Sequence, residues 1–125
     1  MQIVSTTDAP QAIGPYSQAI ITDGWLYTSG QIPLSAAGDK VQGDIAAQTE
    51  QVFNNLEAII TSCGASLARV VKVTVFMTDL AEFGDMNTVF ARRFGAHRPA
   101  RSTVQVVALP TGARVEIEAV VRLQA

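Results

Sequence analysis

Three side chains near the carboxyl end of the chain have the types and spacing for polar chemistry: Arg101, Glu116 and Glu118. A guanidinium stays charged at any working pH and presents a planar fork that fits a carboxylate. A carboxylate beside it could take a proton from water, so the two would form a minimal hydrolytic pair. On spacing alone, such residues more often form a cross-strand ion pair on a solvated face, which contributes little stability and performs no chemistry. The choice depends on the elements that carry them.

The stretch RPARSTVQVVALPTGARVEIEAVV, Arg98 to Val121, reads as two extended segments joined at a Leu-Pro-Thr-Gly corner. Pro110 and Gly112 supply turn chemistry, so the expectation is a β-hairpin, with Arg101 entering beside the polar side of the second arm. In that arm Val115, Ile117, Ala119, Val121 and Leu123 alternate with Glu116, Glu118, Val120 and Arg122. A side-chain period of two therefore puts an apolar face on the core and both glutamates on the other face. Pro99 biases Arg98 towards extended backbone, so the first arm starts cleanly.

Upstream, Ile3 and Val4 open the chain in extended form, and Pro10, Gly14 and Pro15 between Ala9 and Tyr16 favour a fixed irregular loop. Tyr16 then rests on the core with its hydroxyl wet, or less commonly faces a ligand. Ser17 to Thr22 and Trp25 to Gln31 are strands joined by Asp23-Gly24, a strong hairpin signal. The second ends at Ser29 and Gly30, where the missing Cβ allows close approach of a backbone or ligand, or merely a bend. From Asp44, a capping residue, Ile45, Val52, Leu56, Ile59 and Ile60 form a helical stripe that Gly64 closes. Cys63 in the last turn reads as a small buried hydrophobe. Arg69 to Thr78 is a continuous β-branched strand with Val71, Val73, Val75 and Met77 on one face. Asp79 and Glu82 resemble a capping box ahead of a second helix, whose stripe is Phe83, Met86, Phe90 and Phe94 and whose end is Gly95. Asn87 borders that stripe, bonding locally or pointing towards a cavity.

The resulting order, ββ(β)αβαββ, requires each helix to cross over the sheet right-handedly, which places both on one face. The other face would expose Lys72, Thr74, Phe76, Val104, Val106 and Val120, too apolar for water over that area, so self-association with pockets between subunits is expected. With 125 residues, 48% of them hydrophobic and 16% charged, residues 1–125 fit one domain with a substantial core. A net charge of -2 argues against nucleic acid or anionic lipid as partner. Arg92, Arg93, Arg98 and Arg101 are the sole basic concentration; Arg92 and Arg93 read as a solvated helix end complementing the dipole, and His97 as a surface residue. One cysteine and one histidine exclude an internal disulfide and give no metal-ligand spacing. The opening MQIVSTTDAP has no signal-peptide pattern and no apolar run reaches membrane-spanning length, so a cytoplasmic protein is expected.

Several segments together resemble one known family: IGPYSQA from Ile13, TSGQIP from Thr28, GDIAAQTEQVFNNL from Gly43, VVKVTVFMTDL from Val70, the Met86-Asn87 pair, RPARSTVQV and LPTGARVEIEAV. In this order, spanning nearly the whole chain, they are similar to the RidA/YjgF family of reactive-intermediate deaminases. The resemblance implies an α+β, chorismate-mutase-like (YjgF-like) fold, a mixed sheet of about six strands with two helices packed on one face. It also implies a homotrimer with clefts between subunits, and hydrolysis of enamine or imine acids, such as 2-aminoacrylate or 2-aminocrotonate, to 2-oxo acids and ammonia without a cofactor or metal. By that resemblance Arg101 grips the substrate carboxylate and Glu116 positions or activates water, while Tyr16, Ser29, Gly30, Asn87 and Thr103 line the cleft. Thr103 departs from the cysteine frequent in the family, which leaves main-chain groups there to orient water or substrate. A second class of function is a regulatory module that binds 2-oxo acids or other small carboxylates; RNA cleavage or a chaperone role is a third.

Overall fold

The computed structural model describes residues 1–123. Six strands form one sheet: β1 (Gln2–Val4), β2 (Ala19–Thr22), β3 (Trp25–Thr28), β4 (Val70–Met77), β5 (Ala100–Gln105) and β6 (Val115–Arg122), ordered β1-β2-β3-β6-β4-β5. Helices α1 (Ile45–Ser62) and α2 (Phe83–Phe94) cover the same face, so the α+β layout with both helices on one side is as expected. Asp23 and Gly24 both adopt positive φ, 52° and 82°, which is the primed turn whose twist suits two antiparallel strands. Asp44 caps α1 by accepting from the Ala47 amide at 2.9 Å, and Gly64 (φ 79°) lies just beyond its end.

The expected hairpin between β5 and β6 does not form. β4 lies between them, antiparallel to β6 and parallel to β5, and the Pro110–Gly112 corner is a wide turn at the sheet's end. Pro110 and Gly112 do form a turn, but turn chemistry reports only local chain reversal. The partner of β5 is set by α2, whose crossover from β4 makes the β4–β5 pair parallel.

Val71 also departs from expectation. The register shifts by one residue between Val70 and Lys72, so Val70 takes the core position and Val71 is 44% exposed. A β-bulge inserts one unpaired residue and reverses the alternation before it. Beyond it Val73, Val75 and Met77 are fully buried against Val115, Ile117, Ala119 and Val121 of β6 and the Phe53, Ile59 and Ile60 stripe of α1.

Arg92 is solvated as expected, but Arg93 is not. Arg93 reaches back to α1, bonding Glu50 at 3.1 Å, Asn54 at 3.0 Å and Glu57 at 2.7 Å, with its guanidinium 5.4 Å from the centre of the Phe53 ring. Arg92 pairs with Glu50 as well. His97 is half-buried, its Nε2 2.6 Å from the Val70 carbonyl, which fixes the entry of the chain into β5. Glu82 does not close a capping box: Asp79 accepts from the Ala81 amide, and Glu82 instead holds Arg114. No helix is long and apolar enough to cross a membrane, among the described residues.

Candidate functional site

Glu116, the fourth-last core-flanking position of β6, stands opposite Phe76 on the face without helices. Its neighbour across the sheet is Gly30. A Cβ built on Gly30 would lie 2.6 Å from Glu116 Oε2 and 2.7 Å from its carboxyl carbon, so only glycine leaves room for the carboxylate to lie over that backbone. Burial, and secondarily the Glu118 charge on the same face, raise the Glu116 pKa above the usual 4.5.

Glu116 forms one wall of a cleft of about 520 Å³ that also takes in Tyr16, Ser29, Gly30 and the Pro110–Thr111 corner. Ile13, Ile32 and Leu34 make the remaining wall largely apolar. Two amides whose roles the sequence did not signal hold this wall in place. Gln18, buried, donates through Nε2 to the Pro10 carbonyl (2.8 Å) and the Thr6 carbonyl (3.0 Å), pinning the Ala9–Tyr16 loop over the cleft. Asn55 of α1 donates to the carbonyls of Ile32 (3.1 Å) and Leu34 (2.9 Å). A glutamine just ahead of a strand and an asparagine in a helix look like ordinary surface amides, and only long-range packing gives them these partners. Ser29 donates its hydroxyl to the Ser17 carbonyl at 2.5 Å, and Tyr16, 55% exposed, accepts from the Ile13 amide at 3.4 Å. The Tyr16 ring thus opens to the cleft while its oxygen closes the loop.

Arg101 lies elsewhere. It stands opposite Val73, and Thr103 opposite Val75, two residues that point into the helix-covered core, so both leave β5 on the helix side. The Arg101 guanidinium lies 5.2 Å from the centre of the Phe83 ring and 4.6 Å from that of Phe90, and donates to Asn87 Oδ1 at 2.7 Å. Asn87 therefore makes neither a local bond nor an empty projection. Phe83 and Phe90, read from the sequence only as core, also form the aromatic seat of the cation. The Thr103 hydroxyl, on the same face of β5, is buried with no hydrogen-bond partner among the described residues.

Within one chain the seven residues thus fall into two groups. Tyr16, Ser29, Gly30 and Glu116 share the cleft; Asn87, Arg101 and Thr103 share the rim between β5 and α2. The strands of Arg101 and Glu116 are two spacings, about 10 Å, apart, and their side chains leave opposite faces, so the expected cross-strand approach does not occur. Among the described residues no carboxylate pairs with Arg101. β5 is an edge strand, so its cationic group sits where another chain can reach it.

Residues 6–123 match the family described as Endoribonuclease L-PSP. Protein DfrA of Myxococcus xanthus is 48% identical over 94% of this chain and 92% of its own length. The human 2-iminobutanoate/2-iminopropanoate deaminase is 42% identical over 95% of this chain and 88% of its own. The crystal structure of E. coli TdcF with bound serine superposes with a TM-score of 0.93 at 37% identity, covering all of both chains. Both the sequence match along nearly the full chain and the agreement of the whole sheet-and-helix layout place this protein in the L-PSP family, the RidA/YjgF family of the sequence resemblance.

Proposed function

We propose that residues 1–125 act as one domain that hydrolyses short-lived enamine and imine acids to 2-oxo acids and ammonia, in clefts completed by a second copy of the chain in a homotrimer. The observation that carries this reading is the division of complementary groups between two surfaces. One holds an aromatic-seated arginine that pairs with no carboxylate among the described residues; the other holds a desolvated glutamate in an apolar-walled cleft. The names of the mammalian relatives support it, since the human protein is a 2-iminobutanoate/2-iminopropanoate deaminase. Exposed Tyr27 and Val104 and half-buried Phe76 and Val120 on the face without helices supply apolar surface for the association.

The chemistry asks little of such a site. An imine carbon next to a carboxylate is electrophilic. Water adds to it, the nitrogen takes a proton, and ammonia leaves as the carbonyl forms; an enamine first takes a proton on its β-carbon. The C–O bond that water forms and the C–N bond that breaks as ammonia leaves need only proton transfers to assist them, with no change of oxidation state overall, so binding, orientation and one acid–base group suffice. Arg101 of one copy fixes the substrate carboxylate through its planar fork. Glu116 of the neighbouring copy, its pKa raised by burial, gives a proton to the enamine carbon or the leaving nitrogen and takes one from water. Tyr16 and the Gly30 backbone shape the floor, and Asn87 and Thr103 frame the arginine.

The test times keto-acid release from the enamine that a dehydratase makes from serine. The parent protein is expected to accelerate release, and Arg101→Ala to lower kcat/KM by roughly 10- to 150-fold, the loss of one charge-assisted contact to a carboxylate. Equal rates for parent and variant, with unchanged thermal unfolding, would remove Arg101 from the reaction.

A further inference from the structure

The chain has nine lysines and arginines. Arg92, Arg93 and Arg114 are paired with glutamates, and Arg101 belongs to the candidate site. Of the remaining arginines, Arg69, Arg98 and Arg122 converge with His97 on a single groove of about 350 Å³, at the opposite end of β6 from Glu116. No aspartate or glutamate lines it, and none of the three arginines is in an ion pair among the described residues.

What holds these cations is neutral. Arg69 donates through Nε to the Arg122 carbonyl at 3.0 Å. Arg122 donates through Nη1 to the Asp23 carbonyl at 3.2 Å and lies 4.8 Å over the Trp25 ring. Arg98 donates to the carbonyls of Gly95 and His97. Carbonyls and a ring orient a guanidinium without cancelling its charge, and each guanidinium has five donors, of which these bonds use one or two. His97 is oriented likewise: a carbonyl only accepts, so Nε2 carries the proton given to Val70. In a chain of net charge -2, this is a positive focus against the global sign, with no compensating acid among the described residues.

We propose that this groove binds a phosphate-type oxyanion, as inorganic phosphate or as the head of a small phosphomonoester. Three guanidinium groups without an acid suit a dianion with several acceptor oxygens better than a single carboxylate. Pro99 and Ala100 add an apolar wall along which an organic group can lie. The site is separate from the cleft of Glu116 and from Arg101, and its occupancy does not depend on the deaminase reading.

Two residues report on it without labels. His97 is the single histidine and Trp25 the single tryptophan. The parent protein, titrated with inorganic phosphate and with phenyl phosphate at fixed pH and ionic strength, is expected to show saturable shifts of the His97 ring resonances and a saturable change in Trp25 fluorescence. Arg98→Gln, at an exposed position, is expected to keep the parent's thermal unfolding and weaken binding by roughly fivefold, as loss of one solvent-exposed charge contact requires. Arg101→Ala is expected to bind phosphate like the parent. Shifts that rise linearly without saturating, or saturate alike in parent, Arg98→Gln and Arg69→Gln, would overturn the site. So would acetate binding as tightly as phosphate, or capture of a single-stranded RNA oligomer that phosphate does not displace.

Discussion

Glu116 shows how a single residue is tuned by what surrounds it. Its side chain lies over the bare backbone of Gly30, partly out of water, with Glu118 on the same face, and both conditions favour the protonated acid. A group whose pKa is raised on folding contributes stability that is fully present below its unfolded value and is lost as pH rises through its folded value. The ionised parent therefore carries a cost at neutral pH that a glutamine would not. Glu116→Gln is expected to be more stable than the parent at pH 7, with the difference disappearing once both states are protonated below the usual glutamate range. Urea midpoints measured across pH check this, and a pH-independent difference would mean that the substitution acts through packing. Stability gained where activity is lost is the usual mark of a functional position. The alternation of β6 alone placed Glu116 on the right face, whereas the Asn87 bond to Arg101 was invisible, because it spans 14 residues and joins two elements whose docking no local pattern states.

At the scale of elements, periodicity and capping located both helices, the Asp23-Gly24 hairpin and the alternation of β6, since each is written in neighbours along the chain. Strand pairing is not. Leu-Pro-Thr-Gly turns the chain equally well whether the two strands pair or enclose a third, and β4 enters between them because α2 returns the chain past it. The bulge at Val71 escaped for a related reason: a run of β-branched residues has no contrast in which a one-residue slip would show. Helix docking has its own determinant in Arg93, whose side chain is only 14% exposed and spans Glu50, Asn54, Glu57 and the Phe53 ring. Arg93→Ala removes the cation shared by two glutamates and is expected to cost about 1–3 kcal/mol in urea unfolding. Arg92→Ala, at a side chain 59% exposed, is expected to stay within about 0.5 kcal/mol of the parent. Equal losses in the two variants would mean that Arg93 contributes no more than a surface charge.

For the whole molecule, the sheet's shape decides where a reaction can occur. One face is sealed by α1 and α2; the other is open and carries Glu116 beside its cleft, while Arg101 sits at the far edge strand on the sealed side. A rigid six-stranded sheet cannot fold back to join them, so on the proposed function a substrate must bridge two chains, with Arg101 from one and Glu116 from the next. That arrangement is head-to-tail, and it repeats around a closed ring. It has a consequence that a site within one chain does not share. Arg101→Ala and Glu116→Ala chains, each strongly impaired alone, are unfolded together in equal amounts and refolded as mixed assemblies. A junction is intact when the chain giving Arg101 is the Glu116 variant and the chain giving Glu116 is the Arg101 variant. Random mixing makes this true for about one junction in four, whatever the ring size. About a quarter of the parent's rate of enamine hydrolysis is therefore expected from the mixture, and about a tenth or less from either variant refolded alone. A mixture no more active than its components, with hetero-assembly verified by mass spectrometry, would mean that the two residues do not meet across a boundary and that the carboxylate grip must be sought within the Glu116 cleft.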